Sequence, residues 1–545
     1  MDLNCRDSPQ AAQHPFNQSS ADLILRTADL VDFRVHTQIL AQSSPFFASM
    51  LELPQPASTA HSGNNTGDAG SGVTPPVVPV SEDSKTLELL LRLIYPIHKP
   101  RAQMEHPQTM VSALLAATKY EMTLPIDIMS DQLATIVARS PLQVWAAACR
   151  TGLEGVARQA AEALKASWTD SDAHALSFMD ELGDMPGVSA ANYYRLRRFL
   201  SAKESPQGES NFAHLTPARI INPWMMIVPD GPSPDPWTPE PVYTNLPPTD
   251  VTCRSTSRMG QAVLFKVHQV ILSTHSPVLR ARLAEFRDAA SSNSAPAPDP
   301  DSTSAPDSGS TSAQGTPSVQ EVVLDFDEGP EVVSTLLAAC YDIEELRLPL
   351  VPRRLAALVA ASQKYKMAFV APRIRASWDT AANFYPLKAY FVALAHGLTG
   401  CAEEAAKIVL RTQAGDAYDL VMEDAPALAY HRLLVFYDSC RTVVRERLAE
   451  AITSIPEDVP TLYHGTVSTE PITVPLREVA ATVPSVPKGE LVKSLSDAVV
   501  RVTLESTNQQ LTYAPWRLVR KTLQCIVTTP HEIDKALKEV KIRLC

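Results

Sequence analysis

Residues 33–47 read FRVHTQILAQSSPFF, and this stretch predicts a strand, then a helix, then an abrupt end. Phe33 and Val35 lie two residues apart, which places both side chains on one face of a strand. Beyond the strand, apolar residues recur at three-to-four spacing up to Phe47, which is typical of the buried face of a helix. We therefore predict a strand followed directly by a single helix that ends before Pro54.

The chain contains a second copy of this stretch at residues 265–279, which reads FKVHQVILSTHSPVL. In both copies a His follows the strand, a Leu comes four residues later, and Ser-Pro comes four residues after the Leu. A Lys-Tyr pair and a Gly-x-x-Gly pair recur downstream in the same order, so the sequence predicts one module that occurs twice. The matched pairs are His36 and His268, Leu40 and Leu272, Ser44 and Ser276, Lys119-Tyr120 and Lys364-Tyr365, and Gly152/Gly155 and Gly397/Gly400.

Composition argues against several classes of function. The chain has 545 residues, which suggests about three or four domains. Its net charge is −12, so nucleic acid and anionic membranes are poor candidates for partners. The eight cysteines have no paired spacing, which predicts reduced thiols. No apolar run approaches the ~18 residues of a membrane span, and the N-terminus has no signal core. The sequence therefore predicts a cytoplasmic or nuclear protein.

The order of polar, apolar and Pro-rich stretches predicts seven segments. Polar and Pro-rich stretches with little to bury predict disorder or an extended spacer. The segments are a disordered leader (1–18), a first mixed α/β module (19–140, with a disordered insert at about 57–76), its helical extension (141–215), a Pro-rich linker (216–249), a second α/β module (250–375, with an insert at about 289–318), its helical extension (376–455) and a C-terminal helical tail (456–545).

The order of elements in the first module resembles the BTB/POZ domain, and in particular the fungal (basidiomycete) BTB proteins. The second copy resembles it less closely, because Pro277-Val278-Leu279 replaces the Pro-Phe-Phe turn. The resemblance implies an α+β, mostly helical fold with two BTB/POZ-like modules, each followed by a BACK-like helical extension and joined by the Pro-rich linker. The residues that carry the signature are Asp22, His36, Leu40, Ser44, Phe47 and Tyr95, and then Asp250, His268, Leu272, Ser276 and Tyr341.

This resemblance implies a non-enzymatic protein–protein interaction or scaffold protein with no cofactor and no small-molecule substrate. The implied partners are proteins, through self-association or internal pairing of the two modules. One alternative is a substrate adaptor of a cullin-type E3 ubiquitin ligase. Dimerising members often place a basic residue after the helix-opening His, facing the early Asp, but the residues here are Thr37 and Gln269.

A second alternative is a transcription-linked factor, and it depends on the basic C-terminal tail. Such a charge run forms either a solvated helix face or a patch for nucleic acid or an acidic partner. The basic residues are Arg517, Arg520, Lys521, Lys535, Lys538, Lys541 and Arg543.

Few residues in the sequence are candidates for chemistry. His36 and His268 could be ligands or bases, but neither has a Cys, Asp or Glu at ligand spacing, so we predict structural histidines whose rings bond to the backbone. The glycine pairs at 152/155 and 397/400 could suggest phosphate loops, but no Lys-Ser/Thr follows them. The sequence therefore predicts no catalytic, cofactor-binding or metal-binding residue.

Overall fold

The computed structural model of the chain contains two compact units, Met1–Pro223 with Pro426–Leu428, and Trp224–Ala425 with Ala429–Cys545. It is mostly helical and contains small sheets, as an α+β fold requires. The residues that the structure describes are 9–53, 75–98, 104, 106–167, 187–201, 212, 248–257, 260–292, 322–341, 348, 350–412, 417–454, 458–460, 466–468, 531–533 and 535–542.

The first unit opens with a four-stranded sheet of order β1-β3-β2-β4. Strands β2 and β3 form an antiparallel hairpin in which Leu25 pairs with Phe33, while β4 runs parallel to β2 and β1 runs parallel to β3. The strands are β1 (Gln10–Ala11), β2 (Leu23–Arg26), β3 (Val31–Val35) and β4 (Val77–Pro79). The helices are α1 (Thr37–Ser43), α2 (Pro45–Glu52), α3 (Ser84–Ile94), α4 (Pro107–Lys119), α5 (Thr123–Ile136), α6 (Pro141–Thr151), α7 (Glu154–Ser167) and α8 (Ala190–Ser201).

The second unit contains a three-stranded sheet with the same pairing, in the order β6-β5-β7. Strands β5 and β6 are antiparallel, and β7 runs parallel to β5. A separate hairpin pairs β8 with β9. The strands are β5 (Val251–Thr256), β6 (Ala262–Val267), β7 (Val322–Phe326), β8 (Asp458–Pro460) and β9 (Thr466–Ser468). The helices are α9 (Gln269–His275), α10 (Pro277–Ser292), α11 (Pro330–Cys340), α12 (Pro352–Lys364), α13 (Ala371–Phe384), α14 (Pro386–Ala395), α15 (Thr399–Thr412), α16 (Val421–Asp424) and α17 (Ala427–Thr453), which enters this unit at Ala429.

Proline opens seven of the seventeen helices within the described residues. A proline at the first helical position has no N–H to leave unsatisfied, and its fixed φ already suits a helix. In each unit one such helix ends in a Lys-Tyr pair, at Lys119 and Lys364. The prolines that open helices are Pro45, Pro107, Pro141, Pro277, Pro330, Pro352 and Pro386.

The prediction of a disordered leader at residues 1–18 is wrong in its second half. The backbone of Gln10–Ala11 pairs with β3. Phe16 is buried, and its ring packs 5.8 Å from the ring of Phe33 and 5.4 Å from the ring of Tyr95. This polar stretch is therefore ordered by backbone pairing and by one buried aromatic side chain.

The single helix predicted before Pro54 is two helices, because the chain breaks at Ser44. Ser44 adopts extended backbone angles (φ −148°, ψ 113°), and Pro45 then starts α2. The residue before a proline is disfavoured in helical geometry, which accounts for the break. The break turns Phe47 into the core and leaves Phe46 41% exposed, although the spacing predicted that both would be buried.

The predicted boundary between the second α/β module and its extension, at 375/376, is wrong because it lies inside α13. Ile374 and Trp378 lie on either side of that boundary, and both are buried on one face of this helix. The helix continues to Phe384, and Pro386 opens the next one. The predicted insert at 289–318 also begins too early, because α10 extends to Ser292.

Other predicted segments fall largely outside the described residues. These are the insert at 57–74, the Pro-rich linker at 216–247, the insert from 293 to 318 and most of the tail from 469 to 530. Within the tail, residues 531–533 and 535–539 are helical, and the β8–β9 hairpin was not predicted. No helix within the described ranges is both long enough and apolar enough to cross a bilayer.

Substitution of two glycines in the helical part of the second unit can test the backbone conformation there. Gly397 has φ +69°, whereas Gly400 lies inside α15, and a Cβ at either position would meet no atom within 4 Å. We expect Gly397→Ala to destabilise this unit by about 1 kcal/mol, since alanine disfavours positive φ. Gly400→Ala should stabilise it by roughly 0.5–1 kcal/mol, since alanine favours a helix.

Urea unfolding followed by hydrogen exchange of peptides from the second unit measures both glycine variants. Equal effects of the two substitutions would contradict the positive φ at Gly397.

Candidate interaction site

In the first unit the hairpin is joined to α1 by hydrogen bonds from side chains. The carboxylate of Asp22 accepts from the Thr37 amide (2.8 Å) and from the Thr37 hydroxyl (2.6 Å). The His36 amide donates to the Tyr95 hydroxyl (2.8 Å), and His36 Nδ1 lies 3.4 Å from the same oxygen. The Ser20 hydroxyl lies 3.2 Å from His36 Nε2. Asp22 therefore caps the first turn of α1, and Tyr95 ties the end of α3 to the end of β3.

The break between α1 and α2 is closed by Ser44, which is fully buried. Its hydroxyl donates to the Tyr120 carbonyl (2.5 Å) and accepts from the Phe47 amide (3.1 Å). The Phe47 ring stacks 4.9 Å from the Tyr120 ring, and Leu40 is also fully buried. Ser44 thus serves as the N-cap of α2 and as a link to the end of α4.

The end of α4 is also tied to the loop after β4 through Glu82. The carboxylate of Glu82 accepts from Lys119 Nζ (2.8 Å) and from the Tyr120 hydroxyl. Burial alone would raise the pKa of Glu82, but these hydrogen bonds outweigh it and hold the pKa of its carboxyl below the ordinary value of 4.5. We call the bonds made by Asp22, Tyr95, Ser44 and Glu82 the hairpin–helix framework.

The second unit has a corresponding set of bonds between its hairpin and its first helix. The Asp250 carboxylate accepts from the Gln269 amide (2.6 Å). The His268 amide donates to the Tyr341 hydroxyl (2.9 Å), and His268 Nδ1 lies 2.7 Å from that oxygen. Burial raises the pKa of Tyr341 to about 12, so its hydroxyl keeps its proton at neutral pH and can donate to the ring.

The helix break of the second unit is closed in the same way. The buried Ser276 hydroxyl donates to the Tyr365 carbonyl (2.6 Å) and accepts from the Leu279 amide (3.0 Å). Lys364 Nζ and the Tyr365 hydroxyl both donate to Glu328, at 2.8 Å and 2.6 Å. Leu272 is fully buried, as Leu40 is in the first unit. Apart from the bond of the Thr37 hydroxyl to Asp22, each bond of the hairpin–helix framework thus has a counterpart in the second unit.

The comparison with protein families gives one match, which is to the BTB/POZ domain over residues 13–136. Residues 13–136 form a BTB/POZ domain. The match begins before Phe16, which agrees with the burial of that residue, and it ends where α5 ends at Ile136. The predicted bounds of 19–140 are therefore shifted by a few residues. A comparison of the chain with curated proteins gives no match.

BTB/POZ domains mediate protein–protein interactions, so exposed apolar side chains in this domain are candidates for contact with a partner. Phe46 is 41% exposed, and its ring lies 5.4 Å from the Tyr120 ring. Leu124, four residues after Tyr120 in the chain, is 51% exposed. In the second unit Phe369 has the same position relative to Tyr365 and is also exposed. The exposure of Phe46 was not predicted, because its position fits the helical spacing of buried residues.

The groups around the two histidine rings differ from those that the sequence predicted. The sequence predicted that their rings would bond to the backbone. In the structure, hydroxyls lie next to both ring nitrogens of His36 and next to Nδ1 of His268. Ser20 and Tyr95 flank His36, and Tyr341 contacts His268. At the position after His36, Thr37 faces Asp22, and both its amide and its hydroxyl donate to the Asp22 carboxylate.

No cluster for metal binding was found among the described residues, and their cysteines are buried and free. Burial raises the pKa values of Cys253, Cys340 and Cys440 to about 12, so these thiols stay protonated and are poor nucleophiles. The turns at Gly152 and Gly397 join helices, as expected for glycine after a helix end.

The half-buried carboxylate of Glu82 in the BTB/POZ domain predicts an acid-dependent stability. Because folding lowers the pKa of Glu82, the ionised form stabilises the domain above about pH 4.5, and that contribution is lost as the pH falls further. Glu82→Gln should destabilise the domain by about 1–2 kcal/mol at pH 7 and reduce the loss of stability between pH 5 and about 3.

Urea unfolding at a series of pH values, followed by hydrogen exchange of peptides from residues 13–136, measures this effect. Equal acid sensitivity of the wild type and the Gln variant would contradict the role of Glu82.

Proposed function

We propose that the chain is a non-enzymatic scaffold for protein–protein interactions with two BTB/POZ modules, each followed by a BACK-like helical extension. The BTB/POZ domain at residues 13–136 supports an interaction role for the protein. The main support for a second module is a shared set of hydrogen bonds. Tyr341 accepts from the His268 amide and Ser276 donates to a tyrosine carbonyl in the second unit, as Tyr95 and Ser44 do in the first. The shared strand pairing adds support, since β7 runs parallel to β5 as β4 does to β2.

The partners in this proposal are proteins, and the two modules pair either with each other or with a second copy of the chain. Light scattering on the intact chain and on residues 1–208 and 250–545 made separately tests this. A monomeric chain whose halves combine one-to-one would favour internal pairing, whereas a dimeric chain whose halves each dimerise would favour self-association. Both forms of pairing would be contradicted if the intact chain is monomeric and its two halves stay monomeric and do not combine.

A second candidate function is that of a substrate adaptor for a cullin-type E3 ubiquitin ligase. Two exposed apolar side chains of the BTB/POZ domain favour it, because a helical partner could bury them. They are Phe46, whose ring lies 5.4 Å from the Tyr120 ring, and Leu124, four residues after Tyr120 in the chain. A pull-down with a purified cullin should succeed with the wild type and fail with a Phe46→Ala/Leu124→Ala double variant. No binding by the wild type would exclude the adaptor role.

A third candidate is a transcription-linked factor in which the C-terminal tail contacts DNA. The tail exposes Lys535, Lys538 and Lys541 within its described residues. Retention of the chain on a DNA column should then fall steeply with salt and disappear when residues 516–545 are removed. Absence of any salt-sensitive retention would exclude this role. A cytoplasmic or nuclear location goes with each of the three candidates, and imaging of a fluorescent fusion tests it.

A further inference from the structure

The outer edge of the hairpin is covered in the first unit. Residues before the hairpin run alongside β3, and their backbone pairs with it. Gln10 donates to the Leu30 carbonyl, Ala12 donates to the Asp32 carbonyl, and Arg34 donates to the Phe16 carbonyl, each at 2.9 Å. The backbone groups of β3 that point away from β2 are therefore satisfied by an extended segment of the same chain.

The matching edge of the second unit pairs with no further strand within the part of the chain that the structure describes. Strand β6, which precedes His268 as β3 precedes His36, is the last strand on its side of the sheet. All six residues of β6 lie opposite residues of β5. The Ser257 amide donates to the Gln261 carbonyl at the turn, and hydrogen-bonded pairs alternate along an antiparallel ladder. The backbone groups of Val263, Phe265 and Val267 therefore point toward β5, and those of the residues between them point outward. Among the described residues no hydrogen bond reaches the outward groups of Ala262, Leu264 or Lys266. An open edge of this kind is a template for another strand.

The side chains along this edge give it a defined chemical character. Leu264 is 52% exposed, and Lys266 is exposed and forms no salt bridge within the described residues. On the adjacent strand, Arg254 is already paired with Asp325, at 2.5 Å and 2.8 Å. The edge therefore offers an apolar side chain and a lysine two residues apart on one face of the sheet, and the nearby arginine is neutralised.

We propose that β6 binds an extended segment of a partner protein as an added strand, with an apolar side chain of that segment over Leu264 and an acidic side chain facing Lys266. In the first unit the corresponding edge, that of β3, pairs with an extended segment of the chain at Gln10–Ala11. Main-chain hydrogen bonds supply affinity in this mode of recognition, and alternate side chains supply specificity. The inference goes beyond the proposed function, because it requires only the open edge and not the assignment of a second BTB/POZ module.

Fluorescence anisotropy with the intact chain tests the proposal. The probe is a labelled eight-residue peptide in which valine alternates with glutamate, and the control peptide has lysine in place of glutamate. The wild type should bind the glutamate peptide saturably, and Lys266→Glu should weaken that binding roughly tenfold while favouring the lysine peptide. Arg34→Glu, at the matching position of the covered edge, should leave binding unchanged.

Leu264→Pro supplies a second arm of this test, because it removes an outward N–H while leaving the side of β6 that pairs with β5 intact. Circular dichroism checks that each variant is folded. Loss of peptide binding in folded Leu264→Pro supports the proposal. Wild-type chain that does not bind the glutamate peptide, or Lys266→Glu that binds it equally well, overturns the proposal. A dimer of the chain that Leu264→Pro dissociates, without any peptide binding, also overturns it and assigns the edge to a second copy.

Discussion

Phe47→Ala is expected to destabilise the BTB/POZ domain by about 3–5 kcal/mol. Phe47 is 1% exposed, and its ring stacks on Tyr120 at a centroid distance of 4.9 Å. Removing the ring leaves a cavity between α2 and the end of α4, and it also removes the dispersion contacts that hold the two helices together. A loss of this size is comparable to the whole stability of many domains, so the variant should be partly unfolded at 37 °C.

Phe46→Ala is the matched control, since it removes the same ring one residue earlier in the same helix. Phe46 is 41% exposed, so we expect a loss of about 1 kcal/mol or less. Urea unfolding with hydrogen exchange of peptides from residues 13–136 measures both variants. Equal losses would mean that the chain does not break at Ser44 and that the two rings share one buried helix face, as their spacing alone predicted.

Ser44→Ala and Ser276→Ala are each expected to destabilise their own unit by about 2–4 kcal/mol. Each hydroxyl is fully buried and makes two hydrogen bonds, one to the carbonyl of a tyrosine and one from the amide of the third residue after the serine. Alanine removes both bonds and leaves a buried carbonyl and a buried amide with one partner fewer. The loss includes that of an N-cap, which is itself about 0.5–2 kcal/mol.

The difference between the losses of stability in Ser44→Ala and Ser276→Ala is more informative than either loss by itself. We expect losses that agree within about 1 kcal/mol, each confined to the peptides of the unit that carries the change. Ser43→Ala, one residue before the helix break, serves as the control and should change stability by less than about 0.5 kcal/mol. A large loss for Ser44→Ala with none for Ser276→Ala would show that the second unit is not held together as the first is.

The strand at residues 33–35 and the start of the helix after it could be predicted from the sequence because local patterns determine them. The alternation at Phe33 and Val35 and the burial of Leu40 follow from period and polarity alone. Ser44 was identified by its repetition as Ser276, but its partner was not. The carbonyl of Tyr120 is distant in sequence, and no local pattern indicates a contact between two segments so far apart. The repeated Lys-Tyr pair was the available signal.

The N-terminal segment was missed for a different reason. Its residues are polar, and composition therefore predicted disorder. Its order comes from backbone hydrogen bonds to β3, which are independent of side-chain type, and from the burial of Phe16 and Ala12. The boundary at 375/376 failed because α13 continues through it to Phe384 without any break signal at that point.

The difference between the two units was also hidden in the sequence. The copies match from strand to helix, and that match predicts two equivalent modules. Whether a further strand covers the hairpin depends on residues outside the repeated stretch, which pair with β3 but not, within the described residues, with β6. The repeat therefore predicts the framework of each unit but not the surface that each one presents.

Amide hydrogen exchange of the intact chain, compared among the wild type, Tyr95→Phe and Tyr341→Phe, tests most directly the claim that the second unit repeats the first. Each substitution removes the hydroxyl that accepts from the amide of His36 or His268. We predict faster exchange at residues 33–40 in Tyr95→Phe alone and at residues 265–272 in Tyr341→Phe alone, with similar increases. Unchanged exchange at 265–272 in Tyr341→Phe, together with a clear increase at 33–40 in Tyr95→Phe, would contradict the claim that the second unit repeats the first.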